Sequence, residues 1–345
     1  MTSEQLTYRL FEERDLRGLL RLWEEAGWGT LSEEQWREWY VETPNGAALV
    51  AVAVDARGEV LAQEMFMPTR MQVGAREVRA LRFSAPILRR EMRGESLRRD
   101  QHPVFGLYKV AAEAAQQQGF SVVYSLPEYA WLPVFRSGPR FGLPRFAEAD
   151  YPCISLPLTA ANGNGVAAVH HAAGGDGVAA VDDVAGGTTA RAVAEFGEEY
   201  DALWLSARET FPVNCGIVRR RDWLRFRNSG RIAVEVRDAS DGSLVGYTAT
   251  KRQTGLLADI LARHPRDVGR VVAATLKWLA SERGASVPEA LTHLKVMQTP
   301  ALAPSLEAFG GERLDYRFAF TCHTLDASLA AAEIAPARWY LTPGD

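Results

Sequence analysis

The sequence predicts an α/β (α+β) protein of two similar modules, each a mainly antiparallel mixed sheet flanked by helices. The order of elements is written twice. A helix ending in Trp36-Arg37-Glu38-Trp39-Tyr40 leads to an apolar run at Ala47–Val54, a turn at Asp55–Gly58 and a second run from Val60. Near residue 200 the order returns: a helix, Asp222-Trp223-Leu224-Arg225-Phe226, the apolar Ile232–Val236, a turn at Asp238–Gly242, and Leu244–Tyr247. The tails match too. Val104–Gly119 and Val268–Gly284 are Ala-rich helices closed by glycine, followed by apolar strands at Ser121–Leu126 and Leu291–Val296. A repeat of this length suggests a duplicated domain rather than a solenoid. The second observation is length, since 345 residues carry a prior of about two domains. The third is a composition shift: Thr159–Thr189 is mostly Ala, Gly, Val and Asp and reads as a linker. The expected division is 1–158, a linker at 159–189, and 190–345.

Composition excludes several classes. Hydrophobic content of 47% with 24% charged residues is ordinary for a globular chain, and a net charge of -4 argues against general nucleic-acid binding. Cys153, Cys215 and Cys322 are widely spaced, so neither a metal site nor a disulfide framework is expected, and a reducing cytoplasm is the simpler setting. No apolar stretch reaches membrane-spanning length and the first residues lack a signal-peptide core. His170-His171 has no Cys or carboxylate cluster in register and reads as a solvated pair in the linker.

In the first module, Tyr8–Glu12 reads as a strand. Asp15 is the expected N-cap of a helix over Leu16–Ala26, with Leu16, Leu19, Leu20 and Trp23 on one face. Ser32 and Gln35 form a capping-box pattern for a second helix through Tyr40. Strands follow at Ala47–Val54, Val60–Met67, Met71–Val73 and Glu77–Leu88. A helix over Val104–Gln118 stops at Gly119, Val122–Leu126 is a buried strand, Trp131–Ser137 a short helix, and Phe146–Leu158 returns as strand.

This order resembles the GNAT superfamily of acyl-CoA-dependent N-acyltransferases in a tandem, two-module form. The closest local match is Gly119–Pro127 with Pro133–Gly138, which looks like the family's fifth strand and fourth helix. Gly284-Ala285, Leu291–Val296 and Leu306–Gly310 are similar to second modules of tandem members. The resemblance implies an acyl-CoA, most simply acetyl-CoA, splayed between the fourth and fifth strands, and a small-molecule amine as acceptor. Its pyrophosphate would meet a glycine-rich turn opening the third helix, where successive N–H groups cradle phosphate. Here that segment, Arg89 to Gly106, departs from the pattern, and three registers remain open: Arg93-Gly94-Glu95-Ser96, Gln101 to Gly106, and one starting at Arg99. Phe83, Ser84, Ala85, Arg93, Gly94, Ser96, Arg99, Gln101 and Gly106 are the cofactor-binding candidates. Five arginines between Arg89 and Arg99 suit phosphate, or form a solvated loop paired with Glu91, Glu95 and Asp100. In the second module Arg266-Asp267-Val268-Gly269-Arg270-Val271 stands where the equivalent turn belongs, either as a second CoA site or as the remnant of one.

Amine acylation needs a neutral amine and a proton donor for the departing thiolate. The resemblance implies a Tyr on the fourth helix and a Glu on the fourth strand. Phe135 and Leu306 stand at the tyrosine positions, and Leu81–Leu88 holds no carboxylate. The replacements are Glu64, Tyr124, Glu128 and Tyr129. Glu64 sits in Ala62-Gln63-Glu64-Met65-Phe66, where burial would raise its pKa, or it faces solvent. Glu128 and Tyr129 end a central strand, where ligands enter open sheets. In the second module Asp259 and His293 are the polar residues of apolar strands, with Arg252, Arg263 or Lys295 as partners for Asp259 and a core position for His293. Two further readings stay open: a catalytically degenerate ligand-binding module, and an acyltransferase fed by a carrier protein's pantetheine arm, with the arginine run meeting an acidic carrier surface.

Overall fold

A computed structural model describes residues 6–84, 86–93, 102–158, 186–213 and 215–345. The strands are β1 (Thr7–Leu10), β2 (Leu49–Val54), β3 (Val60–Val73), β4 (Arg76–Phe83), β5 (Ile87–Leu88), β6 (Val122–Ser125), β7 (Ala147–Pro157), β8 (Thr188–Ala192), β9 (Cys215–Ile217), β10 (Ile232–Asp238), β11 (Leu244–Thr250), β12 (Leu257–Ala262), β13 (His293–Met297), β14 (Glu312–Thr324) and β15 (Trp339–Tyr340). The helices are α1 (Leu16–Glu25), α2 (Glu33–Tyr40), α3 (Pro103–Gln117), α4 (Leu132–Ser137), α5 (Glu198–Thr210), α6 (Arg221–Asn228), α7 (Val268–Ser281) and α8 (Ala303–Leu306). None of the described helices is long and apolar enough to cross a membrane.

The chain forms two compact units that are not sequential halves. The first holds Met1–Ala149 with Ala319–Pro336, the second Asp150–Phe318 with Ala337–Asp345. The 159–189 stretch contributes β8 from Thr188 onward; residues 159–185, including His170 and His171, lie outside the described part.

In the first unit the sheet runs β1-β2-β3-β4-β6-β14. β1 to β4 are an antiparallel meander, and β4 and β6 run parallel through Ala80–Arg82 and Val122–Tyr124. The last residues of β14 complete the order, with Thr321 opposite Ser125 and His323 opposite Val123. Alternation sends each strand's side chains to two faces. One face packs Val50, Val52 and Met65 against Leu19 and Leu22 of α1 and Trp36 of α2. The other packs Ala51, Phe66, Leu81, Phe83 and Val123 against α3 and α4.

Local expectations meet three corrections here. Asp15 precedes α1 but its side chain does not cap it; the carboxylate accepts from Arg9 at 2.5 and 2.8 Å and from the Glu12 N–H at 2.8 Å. The Ser32–Gln35 capping box does form. Val60–Met67 and Met71–Val73 are one strand. Pro68 lies inside β3 just beyond the end of the β2 pairing, which stops at Phe66, while β4 continues along the other edge. Glu77–Leu88, in turn, is two strands: after Phe83 the chain bulges, and β5 resumes along β3 with Ile87 opposite Gln63 and Leu88 opposite Ala62.

The second unit has a four-stranded antiparallel sheet, β12-β11-β10-β8, packed with α5 and α7. β13 joins β12 through a parallel bridge between Leu256 and Lys295 and pairs β7 on its other side. Gly255 turns the chain at φ +67, and a Cβ there would lie 2.2 Å from the His293 carbonyl, so the close approach requires glycine. The charges of this core were misplaced by sequence. Asp259 is paired by none of Arg252, Arg263 or Lys295 but by Arg219, which is fully buried and donates to it at 2.9 Å, with Tyr247 donating at 2.7 Å. His293 is exposed, not core, because its position on β13 faces solvent.

Candidate active site

The parallel pair β4–β6 ends abruptly. Tyr124 is the last residue of β6 in register with β4, and the Ser125 hydroxyl then donates to the Phe83 carbonyl at 2.9 Å. Beyond that point β4 leaves its neighbour. The Ser84 N–H donates to Met65 and the Arg89 N–H to Leu61, both on β3. In an antiparallel ladder bonded positions alternate, so Leu88 turns its own N–H and C=O away from β3. Among the described residues no strand pairs with β5 on that side. The strands thus part to leave a slot between β5 and the end of β6, along which the Leu88 N–H faces no strand among the described residues. Arg93 reaches into it: its Nε donates to the Leu88 carbonyl at 2.9 Å.

The candidate residues distribute unevenly around this slot. Glu128 and Tyr129 follow β6 and are exposed, Tyr129 by 43%. Tyr124 is fully buried, and alternation with Val123 places it on the face away from α3. Glu64 is also fully buried but shares the α3 face with Ala62 and Phe66, so Glu64 and Tyr124 do not line one cavity. Phe83 packs its ring on Phe66 and Phe135 with centroids at 5.0 and 5.4 Å, a core role, while Ser84 forms the start of the bulge. Ala85, Gly94, Ser96, Arg99 and Gln101 lie outside the described residues.

The opening of α3 differs from a phosphate cradle. Pro103 has no N–H, the Val104 N–H donates to His102 Nδ1 at 3.4 Å, and the Phe105 N–H to the His102 carbonyl at 3.0 Å. His102 therefore caps the helix with its own ring and backbone. Gly106 lies one turn inside, where a Cβ would sit 2.6 Å from the Tyr8 ring, so this glycine serves the packing of α3 on β1. At the equivalent place in the second unit, a cavity of about 400 Å³ is lined by Arg263, His264, Arg266 and Arg270 with Asp238 and Asp267. Asp267 holds the N-cap of α7, and Arg270 pairs with it at 3.2 Å and with Asp238 at 3.5 Å. A carboxylate at this end already answers the helix dipole.

Sequence reasoning missed two residues on the α3 face. The Tyr108 hydroxyl hydrogen-bonds His323 Nε2; Tyr108 packs among Phe66, Phe83 and Phe146, and His323 on Phe146. His323 Nδ1 lies 2.9 Å from the Thr324 carbonyl and must be the protonated nitrogen, so Nε2 accepts from Tyr108. The two lie 215 positions apart, so no local motif joins them. Glu64 stands near this pair: burial pushes the Tyr108 hydroxyl well above its ordinary range, and any charge on Glu64 would push it the same way. Glu64 itself is driven well above the usual carboxyl range by burial, and neither of its oxygens has a hydrogen-bond partner among the described residues.

Burial also lowers the His323 ring from 6.5 to about 4. The unfolded chain takes up this proton near the ordinary value and the folded chain only near the lowered one. Stability from the neutral ring is thus complete above the ordinary value and declines as pH falls toward about 4, by at most about 3 kcal/mol for a shift of this size. Urea unfolding across that window should show a smaller loss in His323→Phe than in the wild type. Identical pH dependence would exclude His323 as the source.

Among the described residues no group of three His, Cys, Asp or Glu could hold a metal, and all three cysteines are buried and free.

No family model matches the sequence, and no curated protein is similar to it in sequence. Solved structures are similar in fold. A GCN5-related N-acetyltransferase from Kribbella flavida superposes with a TM-score of 0.59 at 14% identity, covering 94% of this chain and 72% of its own. A tandem GNAT protein from the clavulanic acid biosynthesis pathway superposes at 0.53 and 15% identity, covering 94% of this chain and 100% of its own. The Saccharomyces cerevisiae N-myristoyltransferase with bound myristoyl-CoA superposes at 0.55 and 10% identity, covering 93% and 83%.

Proposed function

Taking the GNAT fold as established by these structural likenesses, we propose that the chain is an N-acyltransferase that moves an acyl group from an acyl-CoA, most simply acetyl-CoA, to an amine of a small molecule. We place the reaction in the first unit. The observation that carries this is the slot beside β5. The pantetheine arm contains two amides in an extended chain and can accept from the N–H that Leu88 turns away from β3, beside the Leu88 carbonyl that Arg93 holds. Neighbours of this fold include one with bound myristoyl-CoA, which supports the cofactor class.

The order of the first unit returns in the second, apart from β5 and the inserted β9, which supports a tandem duplication. In the second, Asp267 sits at the helix end where phosphate would be held and Arg270 is paired with it and with Asp238. That favours a remnant module that shapes the protein rather than a second acyl-CoA site.

The slot assigns roles by position. Arg93 is the described arginine nearest the open edge and would hold phosphate in place of the capped helix end. Glu128 lies on the acceptor side, where it can take the proton that the attacking amine loses. Backbone N–H groups at the slot polarise the thioester carbonyl, and no covalent intermediate is needed. A ligand-binding module without turnover is the competing reading, supported by Phe135 and Leu306 at the two tyrosine positions. Following free thiol released from acetyl-CoA across a panel of amines separates the two.

Binding has its own check. Arg93→Ala should weaken acetyl-CoA binding by about 1.5–3 kcal/mol, the worth of a hydrogen bond to a charged group. Titration calorimetry showing unchanged affinity would remove Arg93 from the cofactor site.

A further inference from the structure

Glu64 invites a sharper assignment. Its neighbours in register fix its place. Gln63 faces Ile87, Met65 accepts from the Ser84 N–H, and so Glu64 stands opposite the bulge between β4 and β5, where the slot opens. Its side chain points to the α3 face together with Ala62 and Phe66, the face that also carries Phe135 of α4. That aromatic ring holds the position where the resemblance called for a tyrosine proton donor. Around Glu64 the groups on this face are Ala51 and Ala53 from β2, Phe83 from β4 and Tyr108 from α3. Of these only Tyr108 titrates, and its hydroxyl proton is committed to His323. Among the described residues no cation shifts Glu64 and neither of its oxygens has a hydrogen-bond partner, while it is 0% exposed.

We infer that Glu64 is the catalytic acid of the first unit, giving its proton to the sulfur of the departing CoA thiolate. This rests on the acyl-transfer reading above. An ionised carboxylate in this apolar setting would be strongly disfavoured, so the group is held as a neutral acid with an O–H to give. A carboxyl already protonated donates rather than accepts. In the step, the amine nitrogen bonds to the acyl carbon and the carbon–sulfur bond breaks. The electron pair leaves on sulfur, which takes the Glu64 proton to become the thiol. The nitrogen loses one proton to Glu128, and Glu64 recovers one through solvent when the site opens. One proton leaves nitrogen and one arrives on sulfur, so the exchange balances with no further reactant.

The test pairs Glu64→Gln, which keeps shape and removes the proton, with two acyl donors. With acetyl-CoA and the best amine of the panel, turnover should fall by about 10²–10⁴-fold while KM for acetyl-CoA changes little. With acetyl-seleno-CoA, whose selenolate leaves without needing a proton, wild type and variant should run at comparable rates. A variant as fast as wild type with acetyl-CoA overturns the inference. So does equal impairment with both donors, since that marks a structural role. Infrared difference spectra give a readout without turnover: at neutral pH the wild type should show a carboxylic-acid carbonyl band that Glu64→Gln lacks, and its absence also overturns the inference. If wild type releases no thiol with any amine, the acyl-transfer reading fails and this assignment falls with it. If wild type turns over and the variant equals it, only the assignment fails.

Discussion

Replacing Arg219 with Met should destabilise the second unit by about 3–5 kcal/mol, the cost of removing one partner from a buried ion pair. Arg219 is 0% exposed. Its Nε donates to Asp259 at 2.9 Å and its Nη2 to Asp345 at 2.6 Å, while Nη1 meets the Ile217 carbonyl at 2.8 Å. Nη2 also donates to the Thr342 hydroxyl at 3.1 Å, and Tyr247 donates to the other Asp259 oxygen. One cation therefore compensates two buried carboxylates. Without it, burial, which already raises the Asp345 carboxyl above its usual range, acts on both with nothing to offset it. The loss should appear in thermal unfolding as a midpoint lower by about 2–4 °C per kcal/mol. Adding Asp259→Asn and Asp345→Asn to Arg219→Met should recover part of it, because uncharged amides are cheaper to bury than carboxylates. A single-variant loss below about 1 kcal/mol, typical of an ordinary substitution, would mean that the network is replaceable.

Glu128→Gln should lower turnover by about 10²–10⁴-fold, the usual contribution of a positioned base. Glu128 follows β6 at the mouth of the slot, is exposed, and makes no side-chain bond to the turn it begins. Its carboxylate is thus available to an incoming amine. The loss should be greatest at pH values where the amine must shed a proton to react, and Glu128→Asp should keep part of the activity. A near-normal rate in Glu128→Gln would mean that water takes the proton. The variant with Glu64→Gln gives a further comparison. If the two carboxyls serve opposite ends of one proton exchange, the losses should not simply add.

Much of the architecture was legible in the sequence because it depends on short-range pattern. Alternating apolar residues mark the strands, Ser32 and Gln35 start α2, and Gly119 stops α3. The GNAT resemblance rests on the same patterns, and similarity to solved structures bears out the fold. Even the burial of Glu64 was legible from its apolar neighbours as one of two options. What the sequence could not decide were partners set by distance in the chain. Arg219 and Asp259 are 40 positions apart, and Tyr108 and His323 are 215, so spacing carries no trace of either contact. The splitting of Glu77–Leu88 into β4 and β5 depends on β3 offering a bonded edge past the bulge, and Gly106 is explained by Tyr8 rather than by phosphate. By itself the sequence marked most of the elements and the polar candidates. Tertiary structure alone decided which face each candidate meets, because the face follows from strand register and from which helix covers it.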